Sequence, residues 1–318
     1  MLSRRTHIIR IFNLHHICIL MCPLFLLFSC HRTPKEEKLT LLFTGDVLLD
    51  RGIRPLIERY GIRELFKGVE QEFRRADAVI INLECPLTRR ITPLNKQFIF
   101  RAEPEWAKGL RQTGITHASL ANNHTNDQGR QGLSDTHRAL RTSGIIPLGY
   151  GCTTEEQLTP AIIRKGRIEV AVFSAVFIPL ENWTHLEGQP GVCQPSIERL
   201  SEHIRQYRTV HPSTRIVACL HWGAEHQTSP HMQQRYCTHR LLEAGADAII
   251  GHHPHVVQPL EYIGKRPVFY SLGNFVFDQS HPLTQRSLMA VLQFSSTEIK
   301  VESIPIEIQQ CKPQICRK

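Results

Sequence analysis

The sequence has no run of Lys or Arg longer than two residues, and its aromatic residues do not interleave with basic ones in a stripe. The formal net charge is +9, with 18 His besides. That balance attracts an anionic substrate or surface. Without a basic stripe or patch it does not make a nucleic-acid footprint, so no nucleic-acid partner is expected. There is no Cys-x-x-Cys pair, which leaves out a Cys-type structural zinc site. There is no internal repeat and no low-complexity block. The apolar run Ile17–Phe28 is too short to span a bilayer comfortably.

That run follows Arg4, Arg5 and Arg10 and ends Leu27-Phe28-Ser29-Cys30. A basic segment followed by a short apolar one reads as a signal peptide over residues 1–29. The last four residues resemble a bacterial lipobox, with Phe28 bulkier than the motif usually takes. Lipidation of Cys30 would leave an extracytoplasmic lipoprotein anchored in the cell envelope, its membrane contact made through an N-terminal lipid. An ordinary signal peptide or an uncleaved anchor would also place the domain outside the cytoplasm. Residues 30–38 read as a linker, 39–308 as the folded domain and 309–318 as a basic, poorly ordered tail. Seven cysteines follow Cys30. An odd, scattered set gives no disulfide framework, although Cys311 and Cys316 are close enough to pair across a tail loop. Cys219 reads as a small buried hydrophobe.

What is present is a globular composition, 41% hydrophobic and 21% charged over 318 residues, enough for one large α/β domain. Apolar runs alternate with helical patterns. Leu39–Thr44, Asp77–Ile81, His117–Leu120, Arg215–Leu220 and Ala246–Ile250 read as buried strands. Helices are expected over 54–75, with Gly61 as an interruption, and over 104–112, 132–142, 195–207 and 231–244. Further short strands are expected at 97–101 and 145–148. Residues 161–176 and 261–270 read as hairpins, and 286–294 and 298–306 as late strands. The pattern suggests a layered α/β domain with two mixed sheets.

Polar groups recur where strands end: Asp46, Glu84, Asn123-His124, His221 and His252-His253-Pro254-His255. Strands lie ~5 Å apart in a sheet, so groups at one end converge on a small volume. Ligands at the carboxyl ends of strands are the rule in open α/β sheets. Carboxylate, amide and imidazole without thiolate suit one or two divalent ions, Mn, Fe or Zn. Bridging carboxylates would place two ions ~3.5–4 Å apart. Within the last motif the spacing assigns His253 and His255 to metal as an His-x-His pair, leaving His252 behind them or as an alternative ligand.

The blocks Thr44-Gly45-Asp46-Val47, Asn82-Leu83-Glu84, Ala121-Asn122-Asn123-His124 with Asp127 and Gly129, His221-Trp222-Gly223-Ala224-Glu225, Gly251-His252-His253-Pro254-His255 and Ser271-Leu272-Gly273-Asn274-Phe275 occur in one order over about 39–280. In this the chain resembles the bacterial capsule-synthesis CapA and poly-γ-glutamate-synthesis PgsA proteins, a branch of the calcineurin-like metallophosphoesterases. The resemblance implies a four-layer αββα sandwich with a metal centre at the strand ends. It implies Asp46, Glu84, Asn123, His221, His253 and His255 as metal ligands, and His124 as the group that protonates the leaving oxygen, acting as imidazolium. The chain departs from the superfamily at Leu48, where an Asp-x-His block would carry His, and at Asn82-Leu83-Glu84, where the block is Gly-Asp.

The implied function is a metal-dependent hydrolase of phosphoesterase type, using a metal-bound hydroxide in capsule, poly-γ-glutamate or other exopolymer biosynthesis. The expected substrate is an anionic polymer or phosphoester, and the expected partner an exopolymer-synthesis complex. A polymer-binding assembly component without catalysis and a metal-dependent amide hydrolase are the alternatives. Asp127 reads as a solvated loop acid rather than as a group orienting His124. Glu225 and His226 stand as pocket-lining or surface groups, Asn274 as a structural group with substrate binding as its alternative, and Trp222 as a packing wall.

Overall fold

The computed structural model describes residues 37–316. The signal segment, Cys30 and most of the linker lie outside the described residues. No helix among the described residues is long and apolar enough to cross a membrane.

Two mixed sheets lie face to face. The larger has eight strands, ordered Lys312–Ile315, Ile299–Gln309, Arg286–Phe294, Leu39–Val47, Ala78–Leu83, His117–Ser119 and Ile146–Leu148, with Asn274–Val276 also paired to Leu39–Val47. The smaller has six, ordered Leu260–Ile263, Arg266–Phe269, Ala248–His252, Arg215–His221, Ile168–Val176 and Ala161–Lys165. Alternation along each strand divides its residues between two cores. Leu41, Phe43, Ala78 and Ile80 meet Val172, Val217, Cys219 and Ile250 between the sheets. Leu42, Val79 and Ile81 face the other way, onto Ile57, Phe66, Phe73 and Leu110 of the first helices. Ala171, Ile216, Ala218 and Ile249 face Leu200, Ile204, Leu241 and Leu242 of the helices Ile197–Val210 and Met232–Ala244. The result is the αββα sandwich, with central strands apolar on both faces, as their near-continuous apolar runs require. Cys219 is buried between the sheets, and burial pushes its thiol pKa up.

Three expectations are corrected. The helical stretch 54–75 is three helices, Arg54–Tyr60, Arg63–Phe66 and Glu70–Arg75. Gly61, at φ 79°, ends the first of them, its N–H donating to the Ile57 carbonyl. Residues 97–101 form no strand, because their amides are taken by acids from elsewhere. Phe100 N donates to Asp127 Oδ2 at 2.8 Å and Arg101 N to Asp50 Oδ2 at 2.7 Å, so no ladder is needed to satisfy them.

The tail does not hang free: Lys312–Ile315 pairs antiparallel with Ile299–Gln309. The turn between them places Gln310 and Cys311 at φ 51° and 65°, the two positive φ values of a tight hairpin turn. Ile315 packs onto the outer core of the larger sheet. Cys311 and Cys316 are free thiols, since an extended strand carries them some 16 Å apart.

Candidate metal centre

Strand register assembles the centre. Asp46 sits opposite Asn82 on one side and Asn274 on the other, and His221 sits opposite His252. The larger sheet thus delivers carboxylates and amides, the smaller one imidazoles. Two close backbone approaches make this possible. A Cβ on Gly45 would meet the Gly273 carbonyl at 2.1 Å, and one on Gly251 would meet the Tyr270 carbonyl at 2.0 Å, so only glycine fits at either place. Beyond Gly251 the chain turns with His253 at φ 97° and His255 at φ 57°. These left-handed conformations are costly for a residue with a Cβ, and such strain clusters at functional sites.

Asp46 and Glu84 are both 0% exposed. The Asn82 amide donates to Asp46 Oδ1 at 2.8 Å and to Glu84 Oε1 at 2.9 Å, and also lies 3.2 Å from His221 Nδ1. Its two hydrogens therefore face three acceptors. His221 Nε2 pairs with Asn123 Oδ1 at 2.8 Å. His255 Nδ1 lies 3.2 Å from Asp46 Oδ2, and its Nε2 is 4.0 Å from Glu84 Oε2. The His221 and His253 rings are 4.8 Å apart.

Among the expected ligands, two buried polar atoms have no hydrogen-bond partner within the described residues, Glu84 Oε2 and His253 Nδ1. Each such atom costs ~1–3 kcal/mol, and more when charged. Ligand atoms of Asp46, Glu84 and His221 lie within 4.8 Å of one another, as do those of Glu225, His253 and His255. Oxygen and imidazole donors, orphaned and crowded, fit a divalent cation.

Electrostatics separate the two carboxylates. Burial, with Asp46 alongside, holds Glu84 well above the ordinary carboxylate range. Burial opposes ionisation of Asp46 too, but the His255 bond overcomes it and holds Asp46 below that range. Burial likewise works against His255, yet Asp46 raises it above the usual imidazole value. Burial, then His253, pushes His221 well down. Burial, then His255, brings His253 down to about 3. Neutral imidazoles are the form that binds metal.

Of the expected ligands, the structure gathers Asp46, Glu84, Asn123, His221, His253 and His255 at one end of the sandwich. His124 lies beside them, buried, its ring 4.3 Å from Phe100. His252 is not free to ligate through Nε2, which bonds the Thr44 carbonyl at 3.0 Å and so ties the two sheets together. Asn274 Oδ1 meets His255 Nδ1 at 2.9 Å, while its amide donates to Gln279 Oε1 and the Thr284 carbonyl. It therefore holds a ligand in place rather than a substrate. Trp222 is a buried wall whose indole N–H donates to the Tyr270 carbonyl. Leu48 is wholly buried in the outer core of the larger sheet and takes no part in the centre.

Asp127 corrects the expectation of a solvated acid. It is 0% exposed. Its Oδ2 lies 3.0 Å from His124 Nδ1 and accepts the Phe100 amide, and its Oδ1 pairs with the buried ammonium of Lys96. Lys96 also donates to the Asn123 carbonyl. Burial lowers His124 below the usual imidazole value, outweighing Asp127. Its resting form is shifted toward neutral, against the expected imidazolium.

Asn82 stands in the Asn82-Leu83-Glu84 block, but only the structure shows it as the donor shared by the two carboxylates. For Lys96 and Phe100, in an aperiodic segment, the sequence gives no site signal.

Residues 40–279 match the family described as "Bacterial capsule synthesis protein PGA_cap". A capsule biosynthesis protein CapA of Bacillus anthracis is 28% identical over 288 residues, 88% of this chain and 70% of the relative. A PGA biosynthesis protein CapA of Bacillus subtilis (strain 168) is 29% identical over 291 residues, 90% of this chain and 76% of the relative. The fold is shared with a calcineurin-like phosphoesterase, YfkN, from Bacillus subtilis. The TM-score is 0.51 at 14% identity, over 89% of both chains. The chain belongs to the bacterial capsule synthesis PGA_cap family and carries a metallophosphoesterase-like fold.

Proposed function

We propose that this family member is a metal-dependent hydrolase of phosphoester bonds, held at the outer face of a membrane and acting in the synthesis or processing of an anionic exopolymer. The observation that carries the reading is the pair of buried carboxylates, Asp46 and Glu84, set against the buried imidazoles of His221, His253 and His255, with Glu84 Oε2 and His253 Nδ1 unpartnered. A purely structural cluster would satisfy those atoms.

Asp46, Glu84 and His221 would hold an ion, with Asn123 beside His221 completing the set. Bound there, a divalent Mn, Fe or Zn ion supplies Lewis-acid stabilisation of phosphoryl charge and acidifies water. The chain's own residues do the rest. Asp127 bonds His124 Nδ1, which fixes the ring and leaves Nε2 for the leaving oxygen. Lys96 balances the Asp127 charge and, through the Asn123 carbonyl, ties His124's support to the ligand loop. Burial lowers the His124 pKa, and the charge of a bound anionic substrate would raise it again, so Nε2 would take up its proton as substrate binds. His124 then gives that proton to the departing oxygen. The net positive charge, which is not confined to the signal segment, favours polyanionic substrates. Lipidation at Cys30 would tether the domain and bring it to an exopolymer-synthesis complex.

A second reading, polymer binding without turnover, is supported by the relatives, which are named for capsule and PGA biosynthesis rather than for hydrolysis. One experiment separates them. The full-length chain is analysed for bound metal and assayed on bis-p-nitrophenyl phosphate with and without Mn²⁺, beside Glu84→Ala. The hydrolase reading requires at least one ion per chain and turnover lost in the variant. Polymer binding that is unchanged in Glu84→Ala, with no metal-dependent turnover in either protein, replaces it with assembly. For the anchor, Cys30→Ser is expected to leave the membrane fraction, and retention there would refute lipidation.

A further inference from the structure

Leu48 removes an imidazole from the first block, which on its face leaves a second ion one ligand short. We infer that Glu225 makes good that loss, forming a second cation position with His253 and His255 beside the Asp46–Glu84–His221 position. The inference rests on the metal reading above and extends it to a residue that the superfamily pattern does not include.

Three observations support it. The ligand atoms of Glu225, His253 and His255 lie within 4.8 Å of one another. Metal–ligand bonds of ~2.0–2.2 Å close such a spread with small side-chain movements. Second, His253 is 7% exposed and its Nδ1 is buried without a partner, so this triplet has its own unsatisfied donor atom. Third, the Glu225 turn is fastened to the histidine loop on both sides. Trp222 N donates to the His252 carbonyl at 3.1 Å, and His226 N to the Pro254 carbonyl at 2.8 Å. Gly223 at φ 87° and His226 at φ 60° give the turn its shape.

The backbone therefore presents Glu225 to His253 and His255. The contact at 3.7 Å between Glu225 Oε2 and His226 Nε2 is solvent-facing, at 46% and 52% side-chain exposure, and such a pair contributes little. The two triplets adjoin through Asp46–His255 and His221–His253, as a two-ion centre requires. Glu225 lies on the open side, so the second ion would be the more accessible and exchangeable of the two.

The test is Mn²⁺ stoichiometry and affinity by calorimetry and by electron paramagnetic resonance on the full-length chain, for wild type, Glu225→Gln, Glu225→Asp and His226→Ala. Wild type is expected to bind two ions with spin coupling between them. Glu225→Gln should keep the first and bind the second at least about tenfold more weakly, the coupled signal giving way to an isolated one. Glu225→Asp should restore coupling in part, and His226→Ala should match wild type.

A Glu225→Gln protein that binds two coupled ions like wild type overturns the inference, as does a His226→Ala protein that loses the second ion equally. Wild type binding a single ion that Glu84→Ala abolishes would overturn the Glu225 position while leaving the proposed function standing. No binding at all would remove both.

Discussion

The two sheets contribute to the centre in opposite ways. The larger supplies Asp46, Glu84, Asn123 and the amide of Asn82. The smaller supplies His221, His252, His253 and His255. On the first side burial drives a group toward its protonated form, as at Glu84; on the second it drives groups toward their deprotonated form, as at His221 and His253. Both outcomes are uncharged, because the interior resists isolated charge whatever its sign. The exception is the joint between the sheets, where Asp46 and His255 shift toward their charged forms at 3.2 Å. A buried cluster with a cross-sheet ion pair and spare donor atoms is prepared for a cation that neither sheet could hold alone.

The strongest way to break that picture is to remove one ligand from each side separately. Glu84→Ala and His221→Ala should each abolish metal binding at the Asp46–Glu84–His221 position and lower metal-dependent turnover by more than about 10³-fold, beyond the loss from a single transition-state donor. If either variant keeps full metal content and rate, that sheet contributes scaffold only.

Next in size is the supporting chain Lys96–Asp127–His124, which belongs to the larger sheet's side alone. His124→Asn should reduce turnover by about 10²- to 10⁴-fold with metal content unchanged. Asp127→Asn should reduce it less. It should also cost ~3–5 kcal/mol of stability in urea titration, because Lys96 is left buried without its partner. An Asp127→Asn protein as stable as His124→Asn would show that the buried pair is not what holds the segment.

How far the sequence discloses this site follows the same division. Asp46, His221 and the His252–His255 motif are legible because each ends an apolar run whose strand pairs in parallel with another site-bearing strand, so position in the run predicts position in space. The two-sheet fold is legible for the same reason: the runs at 39–44, 77–81, 215–220 and 246–250 have no polar face. Lys96 and Phe100 are not legible. Their segment has no period, and its amides are satisfied by Asp50 and Asp127, one far upstream and one downstream. Asp127 is misread because a loop acid normally faces water, and only the fold shows Lys96 lying over it. The tail is misread because a basic composition says nothing of Ile315, which finds the larger sheet's outer core.

A finer test concerns protons. Glu84 sits well above and His255 above their ordinary ranges, so a metal arriving near neutral pH must displace protons held there. Mn²⁺ titrations in buffers of different ionisation enthalpy should show net proton release, reduced in Glu84→Gln, and affinity that rises with pH. The sign for stability is also set. A carboxyl whose folded pKa is raised contributes stability that is present below its unfolded pKa and is lost as pH rises through the folded value. Glu84's own contribution to the metal-free protein should therefore fall as pH climbs above the ordinary carboxylate range, read as the difference between wild type and Glu84→Gln in urea titration, and added Mn²⁺ should reverse it. Proton release identical in wild type and Glu84→Gln would place the displaced proton on the imidazole side.

The smallest expected effect asks whether acid sensitivity belongs to the centre at all. His117 opens the strand that leads to Asn123 and His124, but touches neither. Its Nδ1 pairs with Thr116 Oγ1 at 2.7 Å, and its buried Nε2 has no partner among the described residues. Burial, with Arg111 adding to it, lowers its pKa to about 4. The unfolded chain binds this proton near pH 6.5 and the folded chain only near 4, so the contribution is full above 6.5 and is lost as pH falls between those values. The slope is at most about 1.4 kcal/mol per pH unit. With Mn²⁺ saturating, the site imidazoles are held by metal and His117 remains exposed to acid. Urea midpoints measured from pH 7 to 4 should therefore fall less steeply in His117→Gln than in wild type, with and without metal. Equal slopes would return the acid sensitivity to His221 and His253, and with it a larger share of the stability to the imidazole side of the centre.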